Sequence, residues 1–318
     1  MGKILSLSSF AIIVLLGVAI FYFKLYDNPK FIIQSPLPDF LSILKNSQAS
    51  TLNIWLPEVP EQAGEEFKLK ITGKSVLVYD LTSKKTLYAN NPRKRLPLAS
   101  LTKIMTAIIA LENPKKDDKY LVREYDLVGE DSMGLDSGEV LSLRELLYGL
   151  ILHSGNDAAE VIAGNYKEGK TSFVDAMNNK AKSLGLKDTN FTNSSGLEGD
   201  GNQYATAYDL LVITSYALNN FPLFGEIAQT FSYTIPKTQT HKEYVIENET
   251  NLLTSYPGVK GVKTGFTNEA GFCLVTYLEY KGHKIIGILL NSENRRDEMK
   301  QLLDYSLLSQ GVTPPKHD

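Results

Sequence analysis

The sequence contains little cysteine and histidine, and its charges are nearly balanced. Among 318 residues there is one cysteine, Cys273, and there are four histidines. A single cysteine excludes an intramolecular disulfide and a cysteine-based zinc site, and no two histidines stand four residues apart, which excludes the helical zinc motif. Lysine and arginine total 33 against 36 aspartates and glutamates. This balance gives no indication of a nucleic-acid partner.

Long apolar runs are also scarce, with one exception at the N-terminus. Residues 4–23 carry no charge and are bracketed by Lys3 and Lys24. The run is long enough for one bilayer crossing, and it ends in the aromatic residues 21–23, which are typical of membrane interfaces. A cleaved signal peptide would have a shorter apolar core and a small-x-small cleavage site. We therefore predict an uncleaved transmembrane signal-anchor over residues 1–24; the alternatives are a cleaved signal peptide and a buried soluble helix.

The remaining chain predicts a tether followed by one folded domain. Residues 25–72 are rich in proline and lack periodicity, so we expect an extracytoplasmic tether; residues 73–312 form the domain and 313–318 a tail. Strands enclose a helical middle, which indicates one sheet built from both ends of the domain. The predicted strands are 75–80, 86–89, 229–235, 241–246, 271–279 and 284–290, and the main predicted helices are 101–111, 143–152, 158–163, 172–184 and 297–308.

A serine and a lysine at helical spacing form the first candidate motif, Ser100-Leu-Thr-Lys103. Residues i and i+3 share one helix face, so the hydroxyl of Ser100 and the amine of Lys103 would lie side by side. A lysine acts as a base only where burial or a nearby cation lowers its pKa. The motif therefore predicts a nucleophile with its base, provided that Lys103 is buried.

Two further motifs follow in the chain, Ser154-Gly-Asn156 and Lys263-Thr-Gly265. The first offers a hydroxyl and an amide on a turn. The second places a cation at the end of a strand-like stretch, where it would hold a substrate carboxylate and lower the pKa of Lys103. Each motif alone is weak, because a second Ser-x-x-Lys occurs at residues 42–45. The order and context of all three carry the prediction.

Other patterns are less informative. Residues 164–171 match a P-loop letter for letter, but a P-loop follows a buried strand, and the preceding residues 158–163 are helical in pattern. We interpret the stretch as a charged turn between helices. His153 beside Ser154 does not make a Ser-His pair, because sequence neighbours rarely face one another. Cys273 is predicted to be a buried core residue.

The motifs in their context resemble those of the D-alanyl-D-alanine carboxypeptidases, the low-molecular-mass penicillin-binding proteins. The resemblance rests on the segments 96–106, 153–159, 262–267 and 270–274, with further matches at 132–139, 190–197 and 205–210, and it extends from about residue 74 to residue 312. It implies an α/β fold of the α+β type: a β-lactamase/transpeptidase-like domain with a mainly antiparallel sheet and a helical middle subdomain. It implies peptidoglycan stem peptides as substrate, β-lactams as inhibitors, and no metal or organic cofactor.

The resemblance also implies roles for the motif residues. Ser100 would be acylated, Lys103 would accept its proton, Ser154 would relay a proton to the leaving D-alanine, and Asn156 would hold the substrate's amide. On the third motif, Lys263 would add positive potential and Thr264 would bind the terminal carboxylate. Gly265 would allow close backbone approach, and the N–H groups of Ser100 and Phe266 would form the oxyanion hole. Arg295, with Arg296 as the alternative, would assist with the carboxylate.

Several alternatives remain open from sequence. A DD-endopeptidase that cuts peptidoglycan cross-links would use the same residues. A β-lactamase is disfavoured because the middle motif is Ser-Gly-Asn, whereas class A β-lactamases have Ser-Asp-Asn. A catalytically silent wall-binding protein would be free to lose Ser100 or Lys103, and both are present. The predicted location is the bacterial cytoplasmic membrane, as a single-pass protein with its catalytic domain outside.

Overall fold

A six-stranded antiparallel sheet is the framework of the domain. The computed structural model describes residues 55–64, 69–198 and 202–317. The strands are β1 Gln62–Ala63, β2 Ser75–Asp80, β3 Lys85–Asn90, β4 Tyr120–Leu121, β5 Val140–Leu141, β6 Ser232–Ile235, β7 Tyr244–Glu247, β8 Val259–Thr267, β9 Gly271–Tyr280 and β10 His283–Ser292. The main sheet has the order β1-β3-β2-β10-β9-β8, so it combines strands from both ends of the domain, as predicted.

The central strands β2 and β10 of the main sheet are buried on both faces, which explains their continuous apolar runs. Along β2, Val76 and Val78 face one hydrophobic cluster, and Leu77 and Tyr79 face the other. This alternation follows from the two-residue period of a strand. β10 pairs with β2 in register, with Ile288 opposite Leu77, and contributes to both clusters. The sheet is therefore a rigid middle layer between two packed faces.

Helices cover both faces of this sheet. Those of the described residues are α1 Thr102–Glu112, α2 Leu143–Ile151, α3 Asn156–Gly164, α4 Gly169–Ser183, α5 Ala207–Asn220, α6 Pro222–Ala228, α7 Leu252–Ser255 and α8 Arg295–Ser309. α8 packs on one face through Met299, Leu302 and Leu303, which belong to the smaller cluster. The helices between β3 and β6 contribute to the larger cluster on the other face. The predicted helical middle is thus confirmed.

Local sequence signals explain where several of these helices begin. Ser142 caps α2 by accepting a hydrogen bond from the N–H of Glu145, whose side chain bonds back in a capping box. Thr206 caps α5 by accepting from the N–H of Asp209. The P-loop look-alike at residues 164–171 lies at the junction between α3 and α4, so its interpretation as a turn between helices is confirmed.

Two differences between the predicted elements and the structure change the organisation of the fold. The strand predicted at residues 229–235 begins only at Ser232, and β6 pairs with β7 in a separate two-stranded sheet rather than in the main one. Part of the predicted tether belongs to the folded domain: β1 pairs with β3, and the ring of Trp55 packs edge-on against Tyr79 at 5.5 Å between centroids. Sheet pairing, which is a long-range contact, adds this segment to the domain.

The predicted signal-anchor at residues 1–24 lies outside the described residues, as does most of the tether. Within the described residues, no helix has both the length and the apolar character needed to cross a membrane.

Candidate active site

Ser100 lies in a one-turn 3-10 helix, Ala99–Leu101, which leads directly into α1. Ser100 is 8% exposed, and strand β8 lies against the turn. A Cβ on Gly265 of β8 would stand 3.1 Å from the Ser100 nitrogen, so only glycine allows the strand this close without displacing its neighbours. Ala99 has a φ of +48°, an unfavourable conformation for a residue with a side chain. The turn is thus held in place by its surroundings.

Lys103, one helical turn after Ser100, is fully buried in the protein. Nine of the eleven residues of α1 are buried, so the helix presents no solvent-facing side at Lys103. The Lys103 Nζ lies 2.9 Å from the Ser100 Oγ, 2.6 Å from the Asn156 Oδ1 and 2.6 Å from the Ser195 carbonyl oxygen. The predicted pairing of hydroxyl and amine is therefore present in the structure.

The three hydrogen-bond partners of Lys103 determine where the N–H groups and the lone pair of its neutral amine would point. The Asn156 and Ser195 oxygens are acceptors only, so each requires an N–H from the amine. A neutral amine has two N–H groups and one lone pair. With both N–H groups used, the lone pair is left for the third partner, the hydroxyl of Ser100. This arrangement is that of a general base with its nucleophile.

The charge state of Lys103 follows from its burial and its neighbours. Burial lowers the pKa of Lys103 well below its usual value, and the positive charge of Lys263 lowers that pKa further. The negative charges of Asp131, Glu249 and Glu160 act in the opposite direction. The environment therefore favours the neutral amine that a base requires.

Ser154 and Asn156 lie at the junction of α2 and α3, on the other side of Lys103. Ser154 is buried and has a φ of +63°, in the left-handed region. Asn156 is the first residue of α3, two residues earlier than the predicted start of that helix. Its Nδ2 donates to the Glu130 carbonyl at 2.7 Å, which fixes the amide so that its oxygen points at Lys103. Asn156 thus connects the nucleophile's helix to the loop at residues 130–131.

Strand β8 supplies the third motif. Lys263 and Thr264 are almost fully buried, whereas Phe266 is 49% exposed. Phe266 lines a cavity of about 770 Å³ together with Ser100 and Asn156. Among the described residues, the Lys263 Nζ has no hydrogen-bond partner. Burial lowers the pKa of Lys263 to about 8. The strand therefore brings a buried, unpaired amine to the same site as Ser100.

Arg295, the first residue of α8, contacts strand β8. Its Nη1 donates to the Gly265 carbonyl at 2.7 Å, and its guanidinium lies 5.3 Å from the centroid of the Phe272 ring. Burial lowers the pKa of Arg295. The alternative, Arg296, has a buried Nε that finds no partner in the described part of the chain. Of the two arginines, Arg295 is therefore the one in contact with the third motif.

Three parts of the site are not evident from the motifs. The Ser195 carbonyl holds Lys103, and the adjacent Ser194 donates to the Glu160 carboxylate at 2.8 Å. Glu249 accepts a hydrogen bond from the Thr264 Oγ1 at 3.1 Å. Carbonyl oxygens carry no residue-type signal, and Glu249 stands in a segment without a motif. Sequence reasoning therefore missed all three, although segment 190–197 is part of the resemblance.

Comparison with known proteins accounts for this arrangement. A family model described as D-alanyl-D-alanine carboxypeptidase matches residues 61–294. The chain belongs to this family. It is 33% identical over 251 residues to D-alanyl-D-alanine carboxypeptidase DacF of Bacillus subtilis, covering 76% of this chain and 64% of that protein. It is 35% identical over 240 residues to the D-alanyl-D-alanine carboxypeptidase of Streptomyces sp. strain K15, covering 69% of this chain and 82% of that one.

Solved structures of the family share the fold. The crystal structure of the Streptomyces K15 DD-transpeptidase matches with a TM-score of 0.70 at 31% identity, over 76% of this chain and 99% of that chain. Penicillin-binding protein D2 of Listeria monocytogenes, in its cefotaxime-bound form, matches with a TM-score of 0.66 at 29% identity, over 76% of this chain and all of that one. The predicted α+β, transpeptidase-like fold with a mainly antiparallel sheet is therefore confirmed.

Proposed function

We propose that this chain is a serine-type D-Ala-D-Ala carboxypeptidase that removes the terminal D-alanine from peptidoglycan stem peptides. The observation that carries the proposal is the contact between Lys103 and Ser100: a buried amine of lowered pKa whose remaining lone pair faces a serine hydroxyl. Membership of the D-alanyl-D-alanine carboxypeptidase family supports the same reaction.

In the first step, the Ser100 Oγ attacks the carbonyl carbon of the penultimate D-alanine while its proton passes to the Lys103 amine. The negative charge that develops on the carbonyl oxygen is stabilised by the N–H groups of Ser100 and Phe266; loss of one such donor typically costs about 10²–10³ in rate. The peptide bond then breaks, and Ser154 relays a proton to the amine of the leaving D-alanine. The products are free D-alanine and an ester of the shortened peptide on Ser100.

In the second step, water attacks the ester carbonyl carbon and the bond from that carbon to the Ser100 Oγ breaks. One proton of the water returns to the Ser100 Oγ, and the shortened peptide leaves as its carboxylic acid. Asn156 holds the amide backbone of the substrate, in keeping with its place between Lys103 and the cavity. Thr264 and Arg295 bind the terminal carboxylate, Lys263 adds positive potential, and Gly265 lets β8 approach the nucleophile. Penicillins would acylate Ser100 in the same way, since a cefotaxime-bound relative has the same fold.

A DD-endopeptidase activity is the second candidate. The chain is 34% identical over 221 residues to the D-alanyl-D-alanine endopeptidase of Pseudomonas aeruginosa, covering 68% of this chain and 70% of that one. The acylation chemistry would be unchanged; only the leaving amine would differ, being that of a cross-linked peptide rather than of free D-alanine.

We further propose that residues 1–24 anchor the protein in the bacterial cytoplasmic membrane as a single helix, with the catalytic domain outside the cytoplasm. The uncharged run at residues 4–23 supports the anchor. Residues 25 to about 54 would serve as the tether, and the domain would extend to residue 312. An extracytoplasmic position suits an enzyme whose substrate is the cell wall.

The test uses the purified full chain, a pentapeptide ending in D-Ala-D-Ala, and a cross-linked peptide dimer. The parent should release D-alanine from the pentapeptide and be labelled by fluorescent penicillin. Ser100→Ala should do neither, and Ser183→Ala, at an exposed serine of α4, should do both. Cleavage of the dimer alone would favour the endopeptidase, and rapid turnover of penicillin would indicate a β-lactamase. Folded parent protein that acts on no substrate would refute the enzymatic proposal.

A further inference from the structure

Glu249 occupies the position at which the substrate's carboxylate is proposed to bind. Its Oε2 accepts a hydrogen bond from the Thr264 Oγ1 at 3.1 Å. A threonine hydroxyl has a single proton to donate. While Glu249 holds it, that proton is not available to a substrate carboxylate at the same place.

The segment that carries Glu249 is fixed to the domain by its backbone. Glu249 follows β7, and its N–H donates to the Leu152 carbonyl at 3.1 Å, close to the middle motif. The preceding residue, Asn248, is buried and donates to the carbonyls of Ala228 and Thr230. Glu249 itself is exposed, so its carboxylate is accessible from solvent. The backbone of Glu249 is therefore fixed to the domain, and the hydrogen bond from Thr264 holds its carboxylate at the site.

Glu249 interacts with the cations that would attract the carboxylate of a substrate. Its negative charge raises the pKa of Lys103, of Lys263 and of Arg295, so it is near enough to interact with all three. In the free protein this carboxylate partly neutralises the positive potential of the site. A second carboxylate brought to the same cations would experience repulsion from Glu249, and that repulsion grows as the substrate excludes water.

We propose that Glu249 is a specificity-determining residue, which weakens the binding of substrates whose leaving group carries a carboxylate relative to substrates whose leaving group carries a neutral carboxamide. A carboxamide does not repel Glu249, and its NH₂ can donate a hydrogen bond to the Glu249 carboxylate. This inference rests on the proposed function, since it concerns the leaving-group position of that reaction. It adds to that function the chemistry of the leaving group that Glu249 favours, a carboxamide rather than a carboxylate.

The experiment compares two matched peptides, one ending in D-Ala-D-Ala and the other in D-Ala-D-alaninamide. kcat and KM for each are measured with the purified full chain, with Glu249→Gln, and with Glu247→Gln as the control. Glu247 is an exposed glutamate two residues earlier, on β7. Glutamine keeps the size of Glu249 and removes its charge. Any effect on the reactivity of Lys103 is common to both peptides, so the ratio of their kcat/KM values isolates the leaving-group position.

We expect Glu249→Gln to lower KM for the carboxylate-ended peptide about tenfold, the equivalent of about 1.4 kcal/mol. KM for the amide-ended peptide should change less than about twofold. Glu247→Gln should leave KM for both peptides unchanged. An unchanged ratio of the two peptides in Glu249→Gln, or a fall in KM of the same size for both, would overturn the inference.

The two proposals can fail separately. If the parent cleaves neither peptide, releasing neither D-alanine nor D-alaninamide, the proposed function fails. The inference about Glu249 is then tested by the rate at which penicillin, which also carries a carboxylate, acylates Ser100. Faster acylation in Glu249→Gln than in the parent and in Glu247→Gln would support the role of Glu249, and equal rates in all three would overturn it.

Discussion

The acylation of Ser100 by penicillin should show a bell-shaped dependence on pH, because two buried lysines are required in opposite charge states. Lys103 accepts a proton only when it is neutral, and its pKa is lowered by burial and by Lys263. Lys263 contributes positive potential only when it is charged, and its pKa is lowered to about 8. The rate should therefore rise with pH as Lys103 loses its proton and fall as Lys263 loses its own.

The position of the alkaline limb follows from the pKa of Lys263. With a pKa of about 8, roughly nine-tenths of the molecules carry the charge at pH 7 and roughly one-tenth at pH 9. If the charge is needed for acylation, the second-order rate constant should fall about fivefold between pH 8 and pH 9 and approach about tenfold for each further pH unit. Arg295 remains charged throughout this range, so it does not produce the decline.

Protein stability should change in the opposite direction over the same range, which separates the loss of rate from unfolding. Between pH 8 and 10.5 the unfolded chain binds a proton at Lys263 that the folded protein has released. The free energy of unfolding contributed by this group therefore rises with pH through that window, by at most about 3 kcal/mol. Thermal unfolding measured over the same pH range should therefore show that the contribution of Lys263 to stability is kept while the acylation rate falls.

The perturbation is Lys263→Arg, which keeps a cation at the position and removes its titration below pH 12. Acylation by fluorescent penicillin is measured by stopped flow from pH 5 to pH 10. The parent should show both limbs, and the variant should keep the acid limb and lose the alkaline one. Lys260→Arg, at a half-buried position on the same strand, is the control and should retain both. A parent rate that is flat above pH 8, or a variant that still declines there, would refute the assigned role of Lys263.

Two other predictions concern the turn at Ser100 and the N-terminus. Gly196→Ala should destabilise the domain and slow acylation far more than Gly138→Ala. Both glycines have φ near +90°, so the backbone strain of the substitution is similar. A Cβ at Gly196 would stand 2.0 Å from the Ala99 carbonyl oxygen, whereas a Cβ at Gly138 would meet nothing within 4 Å. Thermal unfolding and penicillin labelling test this, and equal effects at the two positions would contradict it. The full chain should stay with membranes through a salt wash, and a variant without residues 1–24 should be released; release of the full chain by salt alone would argue against the anchor.

The motifs and the framework of the fold could be predicted because their signals are local. The helical spacing of Ser100 and Lys103 fixes their side-by-side position whatever surrounds them. The apolar runs of β2 and β10 indicate strands that are buried on both faces, and the sheet order confirms that both ends of the domain contribute. The strand β1 and the separate pairing of β6 with β7 depend on contacts between segments that local propensity does not contain.

The supporting contacts of the site could not be predicted for a related reason. The Ser195 carbonyl reaches Lys103 across 92 residues, and any residue type supplies a carbonyl. Glu249 reaches Thr264 across 15 residues, but its segment has no residue pattern that distinguishes it from an ordinary surface loop. In both cases the information lies in the tertiary path of the backbone. The motifs identify the candidate reacting groups, and the fold determines which neighbours set their charge.

The two buried lysines differ in whether their amines have hydrogen-bond partners within the protein. Lys103 has a partner for each N–H of its neutral amine and a hydroxyl for its lone pair, so the neutral form has no unpaired polar group. Lys263 is charged at neutral pH and has no hydrogen-bond partner among the described residues. Desolvating an unpaired cation is unfavourable, and a bound carboxylate would relieve that penalty. We therefore expect a substrate carboxylate to gain from the charge of Lys263, and Glu249, which interacts with the same cation, to reduce that gain.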